Sequence, residues 1–303
     1  MSSTYILVSG DARISDLVSL AAGTTSTAVV IGTRAVAQVV AGSGVDAVVW
    51  LGEPVDGLPA EAYAPAVAAL VAQARPDLVL AATRPGDRVL AGAAAAALRA
   101  PTFTMVTSIT VADGTVEVTR AVFGGIAQQT DLVTGPTVVV VDGGPAPEGE
   151  PTQVAPITQV TVEPSKAVTV IESRLSDQVA VDLTRASRIV AAGRGVKARD
   201  DLGLVDGLAA ALHAESACSR PLAEGLAWYS HDRYVGVTGQ HVTPDLYIAV
   251  GISGQLQHVV GARGAGTVVA INSDKDCPYF AEADYCVVGD LYAVLPALTE
   301  ALS

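Results

Sequence analysis

Two short glycine-rich turns follow strand-like apolar runs in the last third of the chain. Gly193-Arg194-Gly195 follows Arg188 to Ala192, and Gly251-Ile252-Ser253-Gly254 follows Leu246 to Val250. A helical stretch comes after each. At such a junction free backbone N–H groups and the positive end of a helix dipole converge, which suits a phosphate. Glycine lets the backbone approach, and Ser253 adds a hydroxyl donor. Taken singly, a glycine-rich turn after a strand is more often plain punctuation. The Gly251 turn is not a hydrolase nucleophile elbow, which needs G-x-S-x-G, because position 255 is Gln. No Walker-type lysine follows either turn, so the residues point to nucleotide binding without hydrolysis. His258 lies on the helix after Gly254, about one and a half turns from its start. A lone histidine is more often structural. This one has a candidate partner set in Arg220, Thr238, Asn272 and Asp290. All but Arg220 fall near strand ends or helix starts, where ligands of α/β sheets collect.

The chain around these residues has 303 positions, enough for two domains of ordinary size. Half of them are hydrophobic but only 4% aromatic, so the apolar mass is mostly Ala, Val, Leu and Ile. That mixture suits buried parallel strands and argues against disorder. Acidic residues outnumber basic ones 31 to 18, for a formal charge of -13, with no local Lys/Arg cluster. Nucleic acid is therefore not an expected partner. Cys218, Cys277 and Cys286 are an odd set without CxxC spacing, which fits reduced thiols rather than a disulfide frame or a zinc site. The N-terminus has no basic region ahead of an apolar stretch, so no signal peptide is expected. Uncharged stretches such as Leu17 to Thr33 are broken by Ser, Thr and Gly, so no integral membrane span is expected. The combined expectation is a soluble, cytoplasmic, acidic protein.

The first half alternates strand and helix signals. Strand-like runs are Tyr5 to Ser9, Ala28 to Gly32, Asp46 to Leu51 and Asp77 to Ala82. Helical stretches run to about Ala22, over Arg34 to Val40, near Ala62 to Ala74 and over Gly86 to Arg99. This order indicates a mostly parallel sheet covered on both faces. Phe103 to Val111, the Asp113-Gly114 turn and Val116 to Val122 read as a hairpin. Thr137 to Val141 is a fifth buried run. From Gly143 to Pro164 five prolines fall beside Gly and Glu, which reads as a linker or crossing arm on which a second domain would swivel. Ala167 to Glu172 reads as one more strand. The α/β pattern then restarts, with a helix from about Asp200 to His213, a strand Thr267 to Ile271 ending at Asn272, and a last helix from Asp290 through Ala301. The expected fold class is α/β: an N-terminal, mostly parallel domain over 1–185, including the Pro-rich arm at about 143–164, and a C-terminal doubly wound domain over 186–303.

The last third resembles a known family, the alpha subunit of electron transfer flavoproteins. The resemblance rests on Val190 to Gly195, Cys218-Ser219-Arg220-Pro221 and Val235-Gly236-Val237-Thr238-Gly239. It is densest over Leu246 to His258, and continues through Ala270-Ile271-Asn272 and Ala283 to Leu291. The N-terminal half is similar in architecture and in short pieces such as Arg120 to Ala127. Ser219 to Glu224 and Phe123 to Ala127 are most similar to the FixB-type branch.

The resemblance implies one FAD, held mainly by the C-terminal domain and completed by a beta subunit. Carried over position by position, the site would comprise Arg194, Ser219, Arg220, Val235, Gly236, Val237, Thr238, Ser253, Gly254, Gln255, Leu256, Gln257, His258, Asn272, Asp290 and Leu291. Arg220 would favour reduced, anionic flavin and raise its potential. Thr238 would reach flavin N5, and His258 the N1/O2 edge. Ser253 and the N–H groups after it would take the phosphates, with Asn272 and Asp290 toward the adenosine end. Val237 stands where most family members carry Gln, so only its backbone is expected to contribute. The implied function is a redox carrier rather than a self-standing enzyme. It would take electrons from acyl-CoA-type dehydrogenases, in fatty acid oxidation, and pass them to a quinone oxidoreductase or related reductase. Alternatives are an electron-bifurcating flavoprotein subunit and a self-contained flavin oxidoreductase. An adenine-nucleotide sensor built on the N-terminal domain is a third. Cys218 and Cys286 read as structural thiols, the latter buried on a strand. His213 reads as a helix C-terminal cation. Trp228 and Tyr229 read equally as a cofactor cover or as packing.

Overall fold

The computed structural model describes residues 2–123, 125–147, 153–173 and 181–302. The chain divides into two compact units, Met1–Leu175 and Ser176–Ser303. The second takes in Leu183, which the sequence reading places in the N-terminal domain. Leu183 is already buried in its core, with Val181 and Ala186 packed beside it.

Runs of Val, Ile, Leu and Ala without alternation need cover on both faces. In the first unit they form β1 (Ser3–Ser9), β2 (Thr25–Ile31), β3 (Ala47–Trp50), β4 (Leu78–Ala82) and β9 (Thr137–Val141). With β5 (Thr102–Thr104) and β10 (Ile157–Gln159) they make a seven-stranded parallel sheet, in the order β10-β3-β2-β1-β4-β9-β5. Helices α1 (Ser15–Leu20), α2 (Arg34–Ala41), α3 (Ala64–Ala74) and α4 (Pro85–Leu98) connect the strands. Successive side chains point to opposite faces. Ile6 and Val8 therefore join one core with Leu17 and Val40, while Leu7 joins another with Val67 and Leu90.

Three expectations for this unit change. The hairpin is a three-stranded antiparallel sheet of β6 (Val106–Ala112), β7 (Thr115–Val122) and β8 (Ala127–Thr134). Phe103 is not part of it: Met105, at φ 58°, turns the chain out of the parallel sheet. The edge strand β8 gave no apolar signal, because Ala127-Gln128-Gln129-Thr130 lies exposed. Phe123 and Ile126, beside its start, are also exposed; Gly124 between them lies outside the described residues. The turn at Asp113-Gly114 has positive φ at both positions, 49° and 72°, the hairpin geometry that those residue types favour.

The Pro-rich stretch, apart from 148–152, which lie outside the described residues, is an arm strapped to the first sheet. Val48 N–H donates to Pro156 O (2.9 Å), Val160 N–H to Trp50 O (2.9 Å) and Ser165 N–H to Ala62 O (2.8 Å). It is not a free linker, and a swivel on it has no support. Ala167 to Glu172 forms no strand: Val168, Val170 and Ile171 point into solvent, because no neighbouring strand covers them.

The second unit is a five-stranded parallel sheet. It comprises β11 (Arg188–Ala192), β12 (Glu215–Cys218), β13 (Leu246–Val250), β14 (Thr267–Asn272) and β15 (Tyr285–Val288), in the order β12-β11-β13-β14-β15. Helices α5 (Leu202–Ala211) and α7 (Leu291–Leu302) cover one face, and α6 (Leu256–Ala262) the other. The sequence reading left out β12, whose Glu-Ser-Ala-Cys composition has no β-branched residue. Cys286 lies on β15 but is exposed rather than buried, because β15 is an edge. Cys218 is buried, and burial pushes its thiol up to about 12, which fits a structural role. Trp228 and Tyr229 pack against the core that holds α5 and α7. His213 sits just past α5 at φ 50°. Among the described residues no helix is long and apolar enough to cross a membrane.

The first sheet's strand order reverses between β1 and β4, the place where doubly wound sheets open a crevice. Here the crevice is closed by the protein itself. Asp87 is fully buried and accepts from Ser9 N–H (2.6 Å), Ser9 Oγ (2.6 Å) and Arg84 Nε (2.6 Å). Arg84 Nη1 reaches Asp11 Oδ2 at 3.0 Å, and Arg13 Nη2 reaches the same oxygen at 2.7 Å. Burial pulls the Asp11 carboxyl upward, but the bonds from Arg13 and Arg84 bring it down to about 2. Without the Asp87 carboxylate the Ser9 N–H and hydroxyl lose their acceptor, while Arg84 keeps Asp11. We therefore expect Asp87→Ala to cost about 1–3 kcal/mol of stability, read by urea denaturation, with Asp87→Asn costing less. Equal midpoints for Asp87→Ala and wild type would contradict this account.

Candidate functional site

The second sheet reverses its strand order between β11 and β13. The connection from β11 runs through α5 on one face, and that from β13 through α6 on the other. Both glycine turns therefore emerge at one place, at the carboxyl ends of adjacent central strands. They touch. Gly193 N–H donates to Val250 O (2.8 Å), and Gly195 N–H to Gly251 O (3.0 Å). A Cβ on Gly193 would lie 2.3 Å from Gly251 O, and one on Gly195 2.7 Å from Gly251 Cα. Gly251 also has φ 61°. Only glycine lets the two turns close to this distance.

Two cavities meet at Gly251. One, of about 240 Å³, is lined by Arg194, Ser219, Arg220, Ser253, Gln255, Gln257 and His258 among the expected residues, together with Pro221, Tyr234 and Ile252. The other, of about 270 Å³, is lined by Asn272, Asp290 and Leu291, with Gly195, Lys197, Ser273 and Tyr292. Six expected residues line neither cavity. Val235 is buried, and its N–H donates to Cys218 O (3.0 Å). Gly236 packs against Gly261, where a Cβ on Gly261 would meet Gly236 N at 2.4 Å. Val237 holds its loop to α6 through N–H to Gln257 O (2.7 Å), with its side chain exposed. Thr238 Oγ1 lies 3.2 Å from Tyr234 Oη, so its hydroxyl already has a partner. Gly254 presses on Tyr279, and Leu256 points into solvent. Val235, Gly236 and Gly254 pack within the protein, while Val237, Thr238 and Leu256 are exposed.

The charged groups are arranged in pairs. A single π turn over Pro221–Gly225 brings Glu224 beside Arg220, with Nε to Oε2 at 2.6 Å. The pairing raises the guanidinium pKa and holds the Glu224 carboxyl below its usual range. His231 Nε2 lies 3.6 Å from the other Glu224 oxygen. His258 is different. It is buried, and burial pushes its imidazole down to about 4. Nε2 lies 2.9 Å from the Tyr247 hydroxyl, while Nδ1 is buried without a hydrogen-bond partner.

The Gly251–Gly254 turn is clamped from behind. Asn272 Nδ2 donates to Ile252 O (3.1 Å) and lies 3.1 Å from Cys277 Sγ. The Cys277 thiol in turn reaches Ile252 O at 3.4 Å and Ser253 O at 3.7 Å. Asn272 Oδ1 accepts from Asp274 N–H (3.0 Å). Both ends of the Asn272 amide are thus engaged within the protein. Sequence reading missed Cys277, Tyr234, Tyr247 and Tyr279 as parts of this site. For Tyr247 a signal existed: a tyrosine in the middle of a buried strand needs a partner for its hydroxyl. Cys277 carried none.

An orphaned buried imidazole nitrogen, two glycine turns at backbone contact and two cavities that share Gly251 fit an extended dinucleotide cofactor. The comparisons with known proteins agree. Residues 182–263 match the electron transfer flavoprotein FAD-binding domain, and residues 17–165 the electron transfer flavoprotein domain. The chain is 38% identical to the putative electron transfer flavoprotein subunit YdiR of Escherichia coli K12 over 247 residues, covering 80% of this chain and 79% of that protein. It is also 38% identical to protein FixB of Salmonella typhimurium LT2 over 263 residues, covering 84% and 83%. FAD is therefore the cofactor, a beta subunit is the partner the family implies, and the chain belongs to the electron transfer flavoprotein alpha-subunit family, of FixB type.

Proposed function

We propose that this chain is the FAD-holding half of a heterodimeric electron carrier. It would accept electrons from acyl-CoA-type dehydrogenases, in cytoplasmic fatty acid oxidation, and deliver them to a quinone oxidoreductase or related reductase. The observation that carries the reading is the meeting of two glycine turns at the reversal point of the second sheet, with both cavities opening there. Bound FAD supplies the redox chemistry, and the protein tunes it.

In this reading Ser253 and the N–H groups after it bind the diphosphate, as turns at the ends of strands do. Asp290, Leu291 and Gly195 hold the adenosine end. Asn272, whose amide is engaged on both sides, shapes that turn rather than gripping the nucleotide. Arg194, Ser219, Gln255 and Gln257 orient the ring end. Arg220 supplies positive charge there, tempered by Glu224. His258 donates or accepts without net charge, since burial keeps it neutral at physiological pH. Val235, Gly236 and Gly254 back the wall, and the exposed Val237, Thr238 and Leu256 stay open to the ring end. A carrier needs no acid–base pair for a substrate, and a neutral, buried His258 supports that role over a self-contained oxidoreductase.

The heterodimer purified with its beta subunit should carry one FAD in this chain, read from the visible spectrum and the protein ratio. Folded, paired protein without flavin would overturn the reading. Arg220→Ala should keep FAD but lower its midpoint potential, because a positive charge beside the ring favours the reduced, anionic flavin. An unchanged potential would remove that role. Gly195→Ala pushes a methyl onto the Gly251 backbone and should weaken FAD binding at least about tenfold, or about 1.4 kcal/mol, in a flavin titration. Full affinity would mean that the contact of the turns does not shape the site.

A further inference from the structure

We infer that Tyr247 is a positioning residue that fixes the proton of the His258 imidazole on Nδ1, so that His258 meets a ligand in the first cavity as an N–H donor. This rests on the reading that the first cavity takes the ring end of the cofactor. Tyr247 lies in the middle of β13, fully buried, with its hydroxyl 2.9 Å from His258 Nε2. That is the only hydrogen bond of this hydroxyl among the described residues. Two arrangements are open to such a pair. If Nε2 carried the proton and donated to Tyr247, the phenol hydrogen would be left buried without an acceptor. The bare Nδ1 would also be a buried acceptor without a donor. If Tyr247 donates to Nε2, the phenol and that nitrogen are both satisfied. One group then remains without a partner of hydrogen-bond geometry, an N–H at Nδ1, and the Val235 backbone is a further group that acts on the ring.

Leaving one buried group unpaired rather than two favours the second arrangement, since each costs about 1–3 kcal/mol. Burial also holds the Tyr247 phenol in its protonated form, able to donate. Tyr279 flanks the ring edge-on, with centroids 5.9 Å apart, so the imidazole has a fixed seat. The remaining N–H belongs to a ring that lines the cavity, beside Gln257 and Ser253. The chemical class it fits is an acceptor atom on a planar heterocycle, a carbonyl oxygen or an unprotonated ring nitrogen. Such a donor strengthens as its acceptor gains negative charge. Tyr247 would therefore act on the cofactor's potential without touching it.

The test is imidazole ¹⁵N NMR of the full chain in complex with its beta subunit, with histidine labelled in this chain only. The chain has four histidines, and His258→Gln identifies the His258 signals by their loss. The expected result in the wild type is a single tautomer, protonated at Nδ1 and bare at Nε2. A proton on Nε2 would overturn the proposal, and this measurement needs no variant of Tyr247 to fold. Tyr247→Phe should give mixed or reversed tautomers and a lower midpoint potential at full FAD occupancy. The same single tautomer in Tyr247→Phe, or a reversed tautomer with an unchanged potential, would also overturn it. Loss of flavin from the wild-type complex would strike the cofactor reading instead, while the tautomer remains legible in the same spectra.

Discussion

The second unit depends on one close approach: the backbone of Gly195 against that of Gly251. A sheet of five parallel strands sends its connections to both faces, and the reversal between β11 and β13 leaves a crevice wherever it occurs. What makes this crevice a site is that two turns enter it with no side chain between them. Their N–H and C=O groups pair across the gap, Gly193 to Val250 and Gly195 to Gly251. The two cavities share Gly251 as a lining residue. Behind the contact, Asn272 and Cys277 bond the carbonyls of Ile252 and Ser253, and the Gly251 N–H donates to Ile271 O, so the start of the turn is held by the protein itself.

The first unit shows the same topological opportunity handled in the opposite way. Its strand order also reverses, between β1 and β4, yet the opening is filled by Asp87, Arg84, Asp11 and Arg13 bonded to one another. A carboxylate with no exposed surface satisfies the Ser9 backbone that a ligand would otherwise meet. The two reversal points thus differ in what fills them, not in their architecture. This speaks against a nucleotide sensor built on the first unit, because a ligand there would have to displace a set of mutually bonded charges.

Much of this was legible in the sequence because parallel strands buried on both faces leave unbroken apolar runs, as at Leu78–Ala82 and Thr137–Val141. The glycine turns were legible because two of them directly follow such runs in one domain, although either alone is more often plain punctuation. Legibility failed where burial is absent or local. The edge strand β8 offers Gln-Gln-Thr to solvent, β12 is four small or polar residues, and Ala167 to Glu172 has strand-like composition with no neighbour to pair with. At the site, the family resemblance, carried over position by position, supplied most of the residues that line the cavities. It could not find Tyr247 or Cys277, whose roles depend on a hydroxyl and a thiol meeting groups eleven and about twenty-five positions away. Nor could it see that Thr238 turns its hydroxyl to Tyr234, or that Glu224 tempers Arg220.

The β6–β8 sheet carries a cost for the chain before it is assembled. Strand β8 is an eight-residue edge without lysine or proline, and Phe123, Ile126 and Leu132 lie exposed near it. An open edge of this kind is a template for any extended segment, including the same edge of a second copy. The formal charge of -13 supplies the opposing force, since like-charged copies repel before their edges align. Colloidal stability of the newly made chain thus rests on its acidity, which reaches only about 8 Å through physiological salt.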